Sequence, residues 1–293
     1  MITFRKLLRI SHPIHLILAA LTYTLGAGIS HYLGYAINAV VFGLGFLAVL
    51  SIQAASSWLM EYFHLPLTPL LAGEMPRDRE HFRVDLLQAS YASLTLGGAI
   101  VISLLVAGHL NVPAGFLFGV IVLFLVAYAL PPMRLAEMGY GELILAIYLG
   151  TLLPALAFLL QSGEFHRLLT FTTFPLSLLA LAYFLVGDFP TYAADQKLGH
   201  HSLLTRVTWQ RAIPVHHILI LAAFLFFAIA PFFGFPWGLV WPVFVVLPFA
   251  ALQIIWLQRI SLGGRTLWNF LTNLALATFG LSVYLMAFTF WIR

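Results

Sequence analysis

The acidic side chains of this chain are few, and several fall at the ends of apolar runs, where an uncompensated charge is costly. Glu61, Glu142 and Asp188 sit at such ends, and Asp195 follows Asp188 by seven residues. Seven residues are two helical turns, so in a continuous helix both carboxylates share one face. Gln53, Ser57 and Glu61 are spaced four apart, which makes a polar stripe on one helix face. An ionised group inside a bilayer costs about 2.5–3.5 kcal/mol on insertion scales, so such residues are functional candidates; at a mouth they could also simply solvate loop ends. Lys197, Arg206, Arg77 and Arg79 are close to these acids in sequence. Carboxylates with nearby cations suit Mg²⁺ and a phosphate. Magnesium takes hard oxygen ligands, typically one or two carboxylates plus substrate phosphates, while Lys and Arg neutralise the remaining phosphate charge. An apolar bundle beneath would hold a lipid tail. The chemistry points to a lipid diphosphate.

The elements that must position these groups are read from composition. Charged residues make up 8% of 293, hydrophobic residues 62%, and the mean hydropathy is +0.99. A soluble protein carries about a quarter charged residues. Apolar runs of roughly 20 residues, the length that crosses a bilayer, recur along the whole chain. They predict an all-α, polytopic membrane protein with nine transmembrane helices at Pro13–Gly34, Asn38–Phe63, Leu86–Leu110, Val112–Leu130, Tyr140–Gln161, Leu168–Asp188, Pro214–Phe233, Trp237–Gln258 and Thr266–Ile292. None alternates as a β-barrel strand would. No polar segment is long enough for a second domain, so residues 1–293 read as one. The basic start followed by an apolar run lacks a small-residue cleavage site and reads as an uncleaved first helix.

Orientation follows from Lys and Arg. With the N-terminus cytoplasmic, 12 of the 14 basic residues face the cytoplasm, and only Arg167 and Arg293 do not. That places the protein in the cell's inner, cytoplasmic membrane, with lipid bilayer around it. The loops between helices 2 and 3 and between helices 6 and 7 then lie on the cytoplasmic side, and with Glu61 and Asp188 at their helix ends they hold seven of the ten acids. The other connections are short and poor in charge, so function is expected in these two loops. The basic residues are too few and scattered for a nucleic-acid footprint. Zero cysteines exclude disulfides, thiolate catalysis and cysteine-based metal sites.

The acid-bearing segments resemble the UbiA superfamily of intramembrane prenyltransferases. That family's second motif reads Asn-Asp-x-x-Asp-x-x-x-Asp-x-x-x-Gly-x-x-Thr, followed by an Arg. Here Asp188 and Asp195 match its first and last aspartates, with Gly199, Ser202 and Arg206 in register. Thr191 stands where the middle aspartate belongs and Gly187 where the asparagine does. The first motif is reduced to Gln53-Ala54-x-x-Ser57-x-x-x-Glu61, and its Arg-Pro…Ser-Gly sequel to Thr68-Pro69 and Ala72-Gly73. The stretch from Leu130 to Gly163 is similar to MenA-type enzymes, which prenylate dihydroxynaphthoate, with Glu142 and Gln161 on matching positions.

The resemblance implies a nine-helix UbiA-like bundle that transfers a polyprenyl group from an allylic polyprenyl diphosphate to an aromatic acceptor, a naphthoate or benzoate derivative, as in quinone biosynthesis. It implies Asp188, Asp195 and Glu61 as catalytic Mg²⁺ ligands. Lys197, Arg206, Arg77, Arg79, Gln53 and Ser57 would bind the diphosphate, and Glu142, Thr191 and Tyr192 would line the cavity. Rival functions are a catalytically impaired UbiA-fold protein that binds isoprenoid lipid or a partner, and a transporter. Acids at one face rather than at the midplane argue against transport. Adjacent imidazoles on a helix point about 100° apart, so neither His200–His201 nor His216–His217 makes a ready bidentate metal site. Loop solvation, or phosphate contact from His200 or His201, is the better use of that pair, and His15 reads as a packing or interfacial residue.

Overall fold

The structure, a computed structural model, describes residues 4–63 and 76–293. Among the described residues there is no β-strand, and nine helices are long and apolar enough to cross a membrane. They are α1 (Pro13–Tyr32), α2 (Ala39–Phe63), α3 (Pro76–Val106), α4 (Val112–Ala129), α5 (Gly141–Ser162), α6 (Arg167–Asp188), α7 (Trp209–Phe233), α8 (Trp237–Ser261) and α9 (Trp268–Ile292). In lipid every backbone polar group must be satisfied within its own segment, which is why each apolar run becomes a helix.

Two starts differ from expectation. α3 begins ten residues before Leu86, at Pro76, because a charged stretch that hydropathy reads as loop still forms helix outside the bilayer. Proline suits the first helical turn, where its missing N–H has no partner to lose. α7 begins at Trp209 and carries Pro214 inside it rather than at its start.

α5 is the central element: 83% of its apolar window is buried within the protein, against 22% for α3 at the periphery. Its middle turn, Tyr148–Leu152, is π-helical. Pro154 cannot donate a backbone hydrogen bond, and a widened turn is one way a helix absorbs that loss. Neighbours approach α5 closely at small residues, as membrane helices do. A Cβ on Gly26 of α1 would lie 2.0 Å from the Pro154 carbonyl oxygen, and one on Gly150 would lie 2.5 Å from the Ser177 Cα on α6. Beside that contact the Thr151 and Ser177 hydroxyls share a hydrogen bond of 2.7 Å. The α1–α5–α6 unit thereby brings the start of α1, the start of α5 and the end of α6 to one end of the bundle.

Three short helices cover this end: Phe4–Ile10, Tyr192–Leu198 and Leu203–Val207. The first is seated by Ile10 with Phe82, Leu86 and Trp58, and the Trp58 indole N–H donates to the Leu7 carbonyl at 3.1 Å. Phe189, Trp209 and Trp268 form an aromatic cluster under the other two.

Candidate functional site

The span ends at Asp188, as expected, and the helix does not continue to Asp195, so the shared face of a continuous helix does not apply. α6 ends at Asp188, Pro190 interrupts the ladder, and a new helix starts at Tyr192. Thr191 accommodates the break: its hydroxyl donates to Asp195 Oδ2 at 2.8 Å and contacts the Asp188 carbonyl oxygen at 3.2 Å. Asp195 remains within electrostatic reach of Asp188 despite the break. The residue in place of the middle motif aspartate thus orients the last one.

Asp188 has a second neighbour. Glu142, in the first turn of α5, meets it in a side-chain hydrogen-bonding contact. Asp188 Oδ2 and Glu142 Oε2 are both buried and have no hydrogen-bond partner. Buried polar groups are almost always satisfied, so an orphaned pair of carboxyl oxygens calls for a ligand or proton. Two facing carboxyls with free lone pairs are the donor set a hard divalent cation takes. The residues present therefore fit Mg²⁺. Among the described residues, no group of three or more His, Cys, Asp or Glu side chains stands in metal-binding array, so further ligands would come from phosphate and water.

Glu61 approaches from α2. Two arginines fix that helix end: Arg83 donates to the Tyr62 carbonyl and Arg134 to the Phe63 carbonyl, satisfying groups a helix terminus leaves open. Arg134 also pairs with Glu137. Tyr128, near the end of α4, is within electrostatic reach of Glu142, Glu61 and Asp188 together.

A cavity of about 360 Å³ opens here, lined among others by Glu61, Tyr128, Glu137, Asp195, His200 and His201. Glu61 of the first motif and Asp195 of the second thus face one space. A smaller cavity of about 80 Å³, sharing the Met60 and Tyr128 walls, is lined by Gln53 and Ser57 with His12 and His15. The stripe on α2 is divided between the two, Glu61 in the outer and Gln53 and Ser57 in the inner. Gln53 is 3% exposed, and its carbonyl oxygen accepts from the Tyr148 hydroxyl at 3.1 Å.

Other expected site residues have different surroundings. Arg206 donates to the Met138 carbonyl through Nε and to the Tyr140 hydroxyl through Nη1 at 3.0 Å, with its guanidinium 4.3 Å from the Tyr140 ring centre. Positive-φ Gly139 lets it pass, since a Cβ there would lie 2.7 Å from Arg206 Cδ. Tyr192 packs on Trp209 and accepts from the Gln196 amide at 2.8 Å. Lys197 is exposed, beside cavity-lining Leu198. The side chains of Arg77 and Arg79, and residues Thr68, Pro69, Ala72 and Gly73, lie outside the described residues.

Sequence reasoning missed three contributors. Tyr128 carried no signal beyond lying near a helix end. The connection before α5 is not bystander structure: Ala136 and Glu137 line the outer cavity, and Met138 bridges to His201. His15 lines the inner cavity and stacks on His12 at 5.4 Å rather than facing an interface.

The sequence profile of the UbiA prenyltransferase family matches residues 75–277. No curated protein matches the chain. Among solved structures, the apo form of a UbiA homolog from Aeropyrum pernix K1 superposes with a TM-score of 0.62 at 19% identity, over 92% of this chain and 95% of that one. A UbiA homolog from Archaeoglobus fulgidus bound to GPP and Mg²⁺ gives 0.59 at 16% identity, covering 98% of each chain. A structure of digeranylgeranylglyceryl phosphate synthase gives 0.61 at 14% identity, over 98% and 97%. At these identities the likeness is one of fold.

Proposed function

Because this chain belongs to the UbiA prenyltransferase family, we propose that it transfers a polyprenyl group from an allylic diphosphate to an aromatic acceptor within the membrane, with Mg²⁺. The observation that carries this reading is the facing pair Asp188–Glu142, each with a buried, unpartnered oxygen, beside a cavity that Glu61 and Asp195 share. The Archaeoglobus fulgidus homologs were solved with GPP or DMAPP and Mg²⁺, which supports the same ligand classes here.

In this reading the Asp188–Glu142 pair, with Asp195 near it, would hold one Mg²⁺ and Glu61 would support a second, and the metal when bound would neutralise charge developing on the leaving diphosphate. The C1–O bond of the allylic diphosphate breaks and its electron pair leaves with the diphosphate. A π pair of the acceptor ring forms the new bond to C1, and the ring carbon then releases its proton to restore aromaticity. Lys197, Arg77, Arg79 and the histidines His200 and His201 take the outer phosphate oxygens. Arg206 acts through the loop it pins, and Gln53 and Ser57 act from the inner chamber. Tyr128, on the wall of both cavities, is the aromatic side chain placed to shield the allylic cation.

In this reading the N-terminus and motif loops lie on the cytoplasmic side of the inner membrane, and the Lys and Arg distribution supports that orientation. The MenA-like stretch makes a naphthoate or benzoate derivative on a quinone pathway the first acceptor class to test. A UbiA-fold protein that binds isoprenoid lipid without turnover is the rival, and acids gathered at one face rather than at the midplane favour it over transport.

Purified protein, labelled polyprenyl diphosphate and candidate acceptors, with and without Mg²⁺, separate these readings. Product that requires Mg²⁺ and disappears in Asp188→Ala and Asp195→Ala is expected. Lipid binding without Mg²⁺ and without turnover would replace transfer by the binding role, and solute flux in liposomes would replace both.

A further inference from the structure

We infer that the inner chamber is the acceptor subsite, that it selects a hydroxyl-bearing ring edge, and that His15 is its specificity-determining residue. The identification of the ligand as acceptor rests on the prenyl-transfer reading; the chamber's selectivity does not.

The chamber has a definite chemistry. Its polar lining is His12, His15, Gln53, Ser56, Ser57 and Tyr128, and its apolar wall includes Leu125 and Leu145. Among the described residues no carboxylate, lysine or arginine lines it, whereas the outer cavity holds Glu61, Glu137 and Asp195. Apolar walls with a few convergent groups that both donate and accept are what binds a small hydroxylated ring. A diphosphate with its metal ions finds its partners outside, and any charged substituent of the acceptor stays there with them.

Size agrees with that division. At about 80 Å³ the chamber is roughly half of the ~150 Å³ apolar cavity that takes up one benzene. That admits the hydroxylated edge of one ring and excludes a polyprenyl tail. The shared Met60 and Tyr128 walls leave the rest of the ring facing the outer cavity.

His15 is preset for the task. Its ring is held edge-on by Phe184 at 5.3 Å and by Tyr183 at 6.4 Å, and stacked on His12 at 5.4 Å. The backbone adopts an unfavourable conformation to make that stack. His12 precedes α1 with φ of 52°, the left-handed region that L-residues enter at about 1–2 kcal/mol. That turn also sets His12 Nε2 3.8 Å from Glu61 Oε1. A strained residue at a chamber wall is where positioning function concentrates.

The test uses full-length protein and two readouts. The first is binding of 1,4-dihydroxynaphthalene, followed by quenching of intrinsic tryptophan fluorescence without Mg²⁺, against its dimethoxy ether. The second is the acceptor KM and diphosphate KM in turnover. His15→Ala should weaken diol binding and raise acceptor KM about tenfold, the worth of ~1.4 kcal/mol, with diphosphate KM changed less than twofold. His15→Gln should recover most of the loss by keeping a donor and acceptor. Leu145→Phe, which fills the chamber from its apolar wall, should block the diol without touching a polar group. Equal binding of diol and dimethoxy ether, or wild-type binding by both His15→Ala and Leu145→Phe, would overturn the proposal. Selective diol binding lost in these variants, with no transfer product under any condition, upholds the chamber while removing the transferase reading.

Discussion

Asp188 and Glu142, 46 positions apart in sequence, meet carboxyl to carboxyl where α6 ends and α5 begins, each with one buried oxygen lacking a hydrogen-bond partner. Two such groups oppose each other when both are ionised, and a shared cation removes the conflict.

Glu142→Gln should therefore act in opposite directions with and without metal. In metal-free detergent its melting temperature should rise by about 2–4 °C, the shift that ~1 kcal/mol produces in a protein of this size class. The stabilisation by millimolar Mg²⁺ or Mn²⁺ seen in wild type should shrink. Thermal melts with and without Mn²⁺ check both signs, and an unchanged Mn²⁺ shift would remove Glu142 from the metal site.

Thr191 holds Asp195 by one hydrogen bond to its carboxylate. Removing it in Thr191→Ala should raise the Mg²⁺ concentration for half-maximal turnover about three- to tenfold, as loss of ~0.7–1.4 kcal/mol would. Thr191→Asp places a carboxylate at the family's middle motif position and should lower that concentration below wild type. A magnesium titration of the transfer rate reads both.

Arg206 ties the segment after α6 to the connection before α5 through Met138 and Tyr140. Arg206→Ala should speed amide hydrogen exchange across residues 134–140 by at least threefold. Arg206→Lys should not restore protection, because an ammonium lacks the planar fork and ring stacking of the guanidinium. If exchange were unchanged while diphosphate KM rose, the arginine would be binding substrate directly.

Gly150 and Gly26 allow the close approach of α5 to its neighbours. Gly150→Ala would force a methyl against Ser177 backbone atoms, and overpacking of this kind costs about 1–3 kcal/mol. Size-exclusion profiles of detergent-solubilised protein should show a reduced monodisperse fraction for Gly150→Ala and Gly26→Ala. Gly98→Ala, where a Cβ meets nothing within 4 Å, should behave as wild type.

The nine spans were legible from hydropathy because a bilayer leaves a long apolar segment only one common backbone solution. The carboxylates at mouths were legible for the same reason, since charge marks where each span stops. Spacing also put Gln53, Ser57 and Glu61 on one face of α2. Hydropathy also ended the sixth span at Asp188, where α6 ends, while the face shared by Asp188 and Asp195 held only for a helix that Pro190 interrupts.

What spacing left undecided is which helices become neighbours and how each is rotated. Here that is set by close contacts, Gly26 on Pro154 and Gly150 on Ser177, which no periodicity reports. Those contacts put Glu142 beside Asp188, bring Tyr128 among three carboxylates, and turn His12 and His15 into a chamber below Glu61. The chain alone determined a nine-helix membrane protein with acids at its helix mouths. Only tertiary packing decided which acids meet and that a chamber lined by His12, His15 and Gln53 lies beneath them, because helix rotation depends on atoms far apart in sequence.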